Sequence, residues 1–483
     1  MRSLVRQIQT LGLQQVRFVW CDLHGQTRAK ALTADAAVAA LRKGLGMVGT
    51  LALKDTSDRT AFSVFQPEFA ARYPGLAGAS NLLLQPVESS FQVLPWAPGT
   101  GWIQCEAFLS DGTPLGLDTR RQLRSAIEKL ASHGLGMACG LEVEFHIYRL
   151  AHADGRDGLD PTAAEWPGPA PAVHMLHPGY HLLSEASLDQ AHEALGIVQR
   201  TAQGLELPLT SLEIEIGPSQ FEAVFDVRDA LTAADQMVLF RSAVRQALRR
   251  AGYHATFMCR PPFPMIMSSG WHLHQSLIDL RTGRNAFVRP QPLAAVAPGD
   301  ARELLSDLGV HYLAGLLDHA AAMTSLCTST VNGFGRFSAH AMAPQSMVWG
   351  RDNRGAMLRV IGGPGDPATR IENRLGEPAA NPYLYLASQI HAGLDGITRQ
   401  LQPPPATEAP YDPGQGSDSD SRRRIPAHLL DALRALSADP VLMEGFGPDF
   451  VETYQVIKRL EQERFDAAVD KLEFVRREYF GRL

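Results

Sequence analysis

The sequence predicts an α+β protein in two domains, a small one over residues 1–107 and a larger one over residues 108–483. Three observations predict it. At 483 residues the chain exceeds what one small hydrophobic core holds. Its first part alternates short strand-like segments with a single helical pattern, and the remainder sets strand patterns between longer amphipathic helices. Several of the later strands carry carboxylates among apolar neighbours, which suits a sheet with one buried face and one working face.

Residues 16–21 alternate like a strand, and Asp22-Leu-His-Gly25 turns the chain into a second strand at 27–32. Residues 33–43 read as a helix, with Thr33 as N-cap and Gly44 as its stop. Further strands are expected at 49–53, 81–86 and 102–108, with loop over 58–80. An amphipathic helix at 118–133 leads into the strand that bears Glu142 and Glu144. Residues 151–172 are rich in Gly, Pro, Asp and Ala and read as an insertion or surface loop. Helical periodicity returns at 188–205, 230–251, 306–328 and 379–399. Residues 402–424 are polar and rich in Pro, Ser, Asp and Arg, as in a mobile surface segment. The last ~60 residues carry a mainly helical pattern.

Bulk properties exclude several classes. The chain is 45% hydrophobic and 20% charged, ordinary values for a soluble globular protein. A net charge of −6 and a pI near 6.2 give no general attraction to nucleic acid or to an anionic membrane. The five cysteines are scattered and form no C-x-x-C pair, so neither a zinc site nor a disulfide framework is expected. The N-terminal segment lacks the apolar stretch of a signal peptide, and no apolar run reaches ~20 residues. A reduced, cytoplasmic protein is the expectation.

The chemistry concentrates in four segments. Glu142 and Glu144 are two apart in a strand and project from one face, with Val143 opposite. An edge strand with two solvated acids is the plain alternative. Glu213 and Glu215 repeat the pattern, Gly217-Pro218 breaks the strand, and Glu222 follows after the turn. Such a unit can return a carboxylate to the same ligand sphere, although a surface turn would look the same. His272 and His274 share a face, a pattern that satisfied structural histidines also produce. Arg370, Glu372 and Arg374 alternate on a fourth strand. Hard divalent cations take oxygen ligands, and Mn²⁺ accepts an imidazole beside them. This many acids in apolar segments therefore points to a metal site.

Arginines accompany the acids. Arg336, Arg351, Arg354, Arg359, Arg370 and Arg374 fall in one stretch, interleaved with Val360, Ile361 and Ile371. Their forks grip phosphate and carboxylate bidentately, and a solvated basic face is the alternative. Acids for a metal and arginines for anions are what nucleotide-dependent phosphoryl transfer requires. Two motifs fall away. Gly44-Leu-Gly-Met-Val-Gly49 matches G-x-G-x-x-G but follows a helix and precedes a strand, the reverse of the dinucleotide-binding context. No P-loop is present.

Taken together, Leu141-Glu-Val-Glu-Phe145, Glu215 to Glu222, Gly270-Trp-His-Leu-His-Gln-Ser-Leu277, Asn353-Arg-Gly-Ala-Met-Leu-Arg359 and Arg370-Ile-Glu-Asn-Arg374 resemble the glutamine synthetase family over nearly the whole chain. The run Glu377-Pro-Ala-Ala-Asn-Pro-Tyr-Leu384 adds to the likeness. The resemblance implies a β-grasp N-terminal domain and a catalytic domain with a curved antiparallel sheet flanked by helices. It implies a homo-oligomer, a dodecamer of two stacked rings with active sites between neighbours. It implies ATP and two or three Mg²⁺ or Mn²⁺ ions per site. By position, Glu144, Glu215 and Glu222 match ligands of the metal on the amino-acid side, and Glu142, His272 and Glu372 match ligands of the metal on the ATP phosphates. Arg336 and Arg374 match the arginines that hold glutamate, beside Ser268 and Gly270. Arg354 and Arg359 match those that stabilise the phosphoryl group in flight, and Ser276, His274, Arg354 and Arg370 fall on the nucleotide side. The implied reaction makes γ-glutamyl phosphate, from which an amine displaces phosphate.

The sequence also departs from that pattern. The acid that glutamine synthetases carry on a mobile flap is replaced by Met342, in Arg336-Phe-Ser-Ala-His-Ala-Met-Ala-Pro344. The Asn-Gly pair before the metal histidine appears as Met267-Ser268, and Asp55 is the one candidate for the ammonium-site aspartate. Ammonium is a cation that needs a negative partner and a base. Methionine supplies neither but packs well on apolar and aromatic groups. An arylamine is already neutral at pH 7. The expected acceptor is therefore an apolar or aromatic amine such as aniline, with Met342 and Asp55 at its pocket. Alkylamines, ethanolamine or polyamines are the alternative acceptors, although residues 332–345 hold no acid to receive a polyamine. Ammonium itself and a non-catalytic scaffold complete the alternatives.

Overall fold

A computed structural model describes residues 2–151, 164–338, 342–411 and 424–483. The first sheet contains β1 (Gln15–Cys21), β2 (Thr27–Thr33), β3 (Leu45–Val48), β4 (Asn81–Pro86), β5 (Gln92–Val93) and β6 (Thr100–Phe108). Its order is β2-β1-β6-β4-β3, with β5 on β6. The central β1–β6 pair is parallel and its other pairs are antiparallel. Helices α1 (Arg2–Thr10), α2 (Ala34–Lys43) and α3 (Pro67–Arg72) accompany it.

The second sheet has nine strands: β7 (Leu135–Leu150), β8 (Val173–Met175), β9 (Leu209–Ile214), β10 (Gln220–Asp229), β11 (Tyr253–Thr256), β12 (Trp271–Asp279), β13 (Trp349–Arg351), β14 (Leu358–Ile361) and β15 (Arg370–Gly376). Its order is β13-β14-β15-β12-β7-β10-β9, antiparallel except between β13 and β14. Around it lie α4 (Thr119–Ser132), α5 (Glu185–Gln190), α6 (His192–Gly204), α7 (Ala230–Arg250), α8 (Asp307–Asp318), α9 (Ala320–Cys327) and α10 (Pro382–Arg399). The chain closes with α11 (Leu429–Ala438), α12 (Pro440–Phe446), α13 (Pro448–Ala467) and α14 (Lys471–Val475).

Helix α10 is the hub. It is buried over most of its length and packs on α8, α4, α7 and α9. Asn381 starts it by accepting hydrogen bonds from the Tyr383 and Leu384 amides, with Pro382 at the first helical position. Asp118 ties the first sheet to α4. Its Oδ2 accepts from Trp20 Nε1 at 2.9 Å and from the Ala107 amide at 2.7 Å, while Oδ1 caps α4 through the Arg121 amide.

Several local expectations are corrected. Residues 49–53 form a 3₁₀ helix, and the strand lies just before them, where β3 pairs with β4. Gly49 begins this helix with its backbone so near the Ser80 carbonyl that a Cβ would meet it at 2.6 Å. The span 58–80 holds α3, opened by Pro67, and a 3₁₀ segment at Pro74–Ala79. The helix expected at 306–328 is two helices divided at His319, and that at 188–205 is likewise two. Thr33 precedes α2 without a side-chain cap bond, while Gly44 ends it at φ 71° with its amide on the Ala40 carbonyl. Most of the insertion at 151–172 and residues 412–423 lie outside the described residues. No helix among the described residues is long and apolar enough to cross a membrane. All five cysteines are buried and free.

Candidate metal and anion site

Strand register assembles the site. Across β14-β15-β12-β7-β10-β9, Arg359 faces Glu372, Glu372 faces His274, His272 faces Glu142, Glu144 faces Glu222, and Glu222 faces Glu213. Residues two apart share a face, so the acids of β7 join the imidazoles of β12 and the alternating charges of β15 on one side. Leu141, Val143, Phe145 and Ile147 are all buried in the core.

The ligand atoms converge on His272. Its Nδ1 lies 3.5 Å from Glu142 Oε2 and 3.9 Å from Glu372 Oε1, and its Nε2 lies 3.7 Å from Glu144 Oε1. Glu142, His272 and Glu372 can offer ligand atoms within 4.8 Å of one another, and so can Glu144, Glu222 and His272. The second group departs from expectation. His272 belongs to both, while Glu215 stands beside Glu144 as a charge neighbour, its Oε2 held by the Ile216 amide at 3.0 Å.

Electrostatics divides the acids into two sets. Burial, reinforced by Glu144, pushes Glu222 up to about 10, and burial with Glu215 raises Glu144 to about 8. Burial raises Glu215 as well. Against the burial that would raise them, the imidazoles of His272 and His274 hold Glu142 low, and His272 with Arg374 brings Glu372 down to about 2. Burial and then Arg374 push His272 down to about 4, which leaves a neutral imidazole. Glu144, Glu215 and Glu222, crowded this way, lack a counter-charge that a divalent cation supplies. One buried polar atom beside them, Arg374 Nε, has no hydrogen-bond partner, while His274 Nε2 lies 2.9 Å from Glu142 Oε1. Crowded acids, a neutral imidazole and an orphaned guanidinium nitrogen fit a divalent metal and an anionic substrate.

Arginines line one flank. Arg374 Nη1 donates to Glu372 Oε1 at 2.5 Å, and Arg359 Nη1 to Glu372 Oε2 at 2.9 Å. Arg336 is 3% exposed and is pinned by two backbone carbonyls, those of Arg374 at 2.8 Å and Gly376 at 3.0 Å. Its Nη2 fills the space a side chain at Gly270 would need, since a Cβ there would lie 2.6 Å from it and 2.9 Å from His272 Nε2. The Gly270 amide donates to Glu144 Oε2 at 3.0 Å. Arg370 Nε donates to His274 Nδ1 at 3.0 Å.

Other expected residues stand apart. Arg354 is exposed on the turn between β13 and β14. Ser276 is half-buried on β12, two residues beyond His274 on the same face. The Ser268 hydroxyl is taken by Arg260 Nη1 at 2.6 Å. Asp55 is committed within this chain, accepting from Ser57 and Arg59 through Oδ1 and pairing with Arg464 through Oδ2 at 3.2 Å. Met342 is 63% exposed in a left-handed backbone conformation at φ 53°.

Sequence reasoning missed three contributors. Gln220 Nε2 donates to Glu144 Oε2 and to Ser269 Oγ, both at 3.0 Å. Its position two residues before Glu222 on β10 was the available signal. Glu377, wholly buried, receives the Ser329 and Thr330 amides at 2.7 Å and so shapes the loop that leads to Arg336. Asp352 holds Arg359 Nε at 2.9 Å.

Comparison with known proteins gives the family. The family described as "Glutamine synthetase, catalytic domain" matches residues 116–477. A γ-glutamylanilide synthase of an Acinetobacter species is 37% identical over 96% of this chain and 90% of its own length. A glutamine synthetase of Thermus thermophilus is 32% identical over 82% of this chain and 84% of its own. A solved structure described as "Apo GmaS without ligand" superimposes with TM-score 0.78 at 27% identity, covering 98% of each chain.

Proposed function

The chain belongs to the glutamine synthetase family, and, as an ATP-dependent glutamate–amine ligase of that family, we propose, it joins the γ-carboxyl of glutamate to an apolar or aromatic amine such as aniline. One observation carries the choice of acceptor. By the resemblance, Met342 stands where ammonium-using members place a flap acid, so this position offers neither a charge to bind a cation nor a base to deprotonate it. The 37% relative named for anilide synthesis supports the same reading.

The roles follow from the residues. Glu142, His272 and Glu372 would hold one divalent cation, and Glu144, Glu215 and Glu222 a second, with His272 near both groups. A bound Mg²⁺ or Mn²⁺ supplies charge neutralisation for a transferring phosphoryl group. Arg336 and Arg374 fix the glutamate carboxylates, Arg336 without losing its place because two carbonyls anchor it. Arg359, steadied by Asp352 and Glu372, stabilises the phosphoryl oxygens, with Arg354 reaching in from its turn. Arg370, His274 and Ser276 face the nucleotide.

The γ-carboxylate oxygen of glutamate attacks the terminal phosphorus of ATP, and ADP leaves. The amine nitrogen then attacks the acyl carbon, the carbon–oxygen bond breaks, and phosphate departs as the nitrogen loses a proton. A neutral arylamine reaches that second step without prior deprotonation. Asp55 stays bound up inside its own chain at 3% exposure, and the chains assemble as a dodecamer of two stacked rings, a size that light scattering reads directly.

The Met342→Glu variant tests the acceptor reading. Steady-state rates should shift from aniline toward ammonium by about tenfold or more in relative kcat/KM, the span of one charge interaction in a site. An unchanged amine preference refutes the role of Met342.

A further inference from the structure

A crevice of about 1050 Å³ lies between the β1–β2 turn, the C-terminal half of α7 and residues 481–483. None of Glu142, Glu144, Glu215, Glu222, His272 or Glu372 lines it. Its size suits a small-molecule site.

The balance of charge is its distinctive feature. Among the described residues three acids line it, and each is already committed. Asp22 accepts from Arg28 Nε at 2.7 Å, Asp55 from Arg464 at 3.2 Å, and Glu165 pairs with Arg477. Two arginines one helical turn apart on α7 face the crevice with no carboxylate partner among the described residues. Arg241 is a structural staple, donating to the carbonyls of Pro378 and Ala380 at 2.8 Å and of Gly25 at 3.2 Å. Among the described residues Arg245 has two long bonds, both to neutral acceptors, Gln26 Oε1 at 3.3 Å and the Gly481 carbonyl at 3.2 Å. Arg482 stands on the same wall, which Arg28, Arg249 and Arg250 also line. The arginines in the last turn of α7 are accounted for by the negative end of the helix, but Arg245 lies a turn further in. Burial, then Arg241 and Arg482, lower Arg245 to about 10, the mark of a guanidinium without a counter-charge.

We propose that this crevice binds a small oxyanion-bearing metabolite, gripped by Arg245 and Arg482. Guanidinium forks match carboxylate and phosphate oxygens, and an anion there would offset the cost of a cation withdrawn from water. The occupant would join the turn of the first sheet to α7, which begins where the ligand-bearing strand β10 ends. The inference does not depend on the acceptor amine.

Calorimetric titration of the full-length, metal-free protein tests it, with succinate as the carboxylate probe and pyrophosphate as the phosphate probe. At least one should bind, with affinity falling tenfold or more in Arg245→Gln and several-fold in Arg482→Gln. The preferred probe identifies the acid class. No binding of either at millimolar concentration overturns the proposal. So does binding that both variants leave unchanged, because the anion would then sit on the arginines of the metal site. If Arg245→Gln does not fold, Arg482→Gln decides by itself.

Discussion

Gly270→Ala perturbs the site by a single methyl group, and its consequence can be worked from distances. The added Cβ would sit 2.6 Å from Arg336 Nη2 and 2.9 Å from His272 Nε2. An unstrained contact needs about 3.5 Å, so one of these groups must retreat by about 1 Å. Neither has room. Arg336 is buried and held by the carbonyls of Arg374 and Gly376, and His272 is boxed in by three carboxylates. A misplacement of about 1 Å costs on the order of 100-fold in rate, or about 2.7 kcal/mol of transition-state stabilisation. The assay is ATP-dependent amide formation, with kcat/KM for glutamate as the readout and the melting temperature as a check on folding. A loss of about 100-fold at a nearly unchanged melting temperature is expected. Activity within threefold of wild type would mean that Arg336 and His272 are not held as described.

Two further outcomes follow from the same geometry. Gln220→Leu removes the amide that fixes Glu144 and should weaken Mn²⁺ binding by about 10- to 100-fold by calorimetry; an unchanged Kd removes Gln220 from the site. His319 bridges Asp439 at 2.6 Å and Asp395 at 3.0 Å, and against the burial that would lower it these carboxylates raise its pKa. A raised folded pKa contributes stability fully below about pH 6.5, and that stability fades as pH rises through the folded value. The melting-temperature deficit of His319→Gln should therefore be larger at pH 6 than at pH 9, with about 2 kcal/mol at stake at the lower pH. Equal deficits at both pH values contradict this.

Much of the site was legible because strand periodicity is local. Leu141, Val143 and Phe145 alternate with Glu142 and Glu144, and that alone sets the acids on one face of β7. Which strands lie beside β7 is not local. The facing of Glu222 on Glu144 and of His272 on Glu142 depends on pairing between segments separated by tens of residues, and the family resemblance supplied it. The short elements were misread where burial and helical pattern part company. Leu53 and Ala52 are buried, yet they belong to a 3₁₀ turn. Pro67 reads as a loop residue and in fact opens a helix. Gln220 escaped notice because an uncharged amide in a strand carries no signal until its carboxylate partner is in view.

The most direct measurement is mass spectrometry of the products formed from ATP, glutamate and Mg²⁺ or Mn²⁺ with one amine at a time: ammonium, ethylamine, ethanolamine, putrescine, aniline and chloroanilines. A γ-glutamyl anilide accompanied by ADP, with little or no glutamine, is the expected result. Glutamine as the main product would contradict the acceptor reading, and an absence of ATP turnover with every amine would contradict the ligase itself.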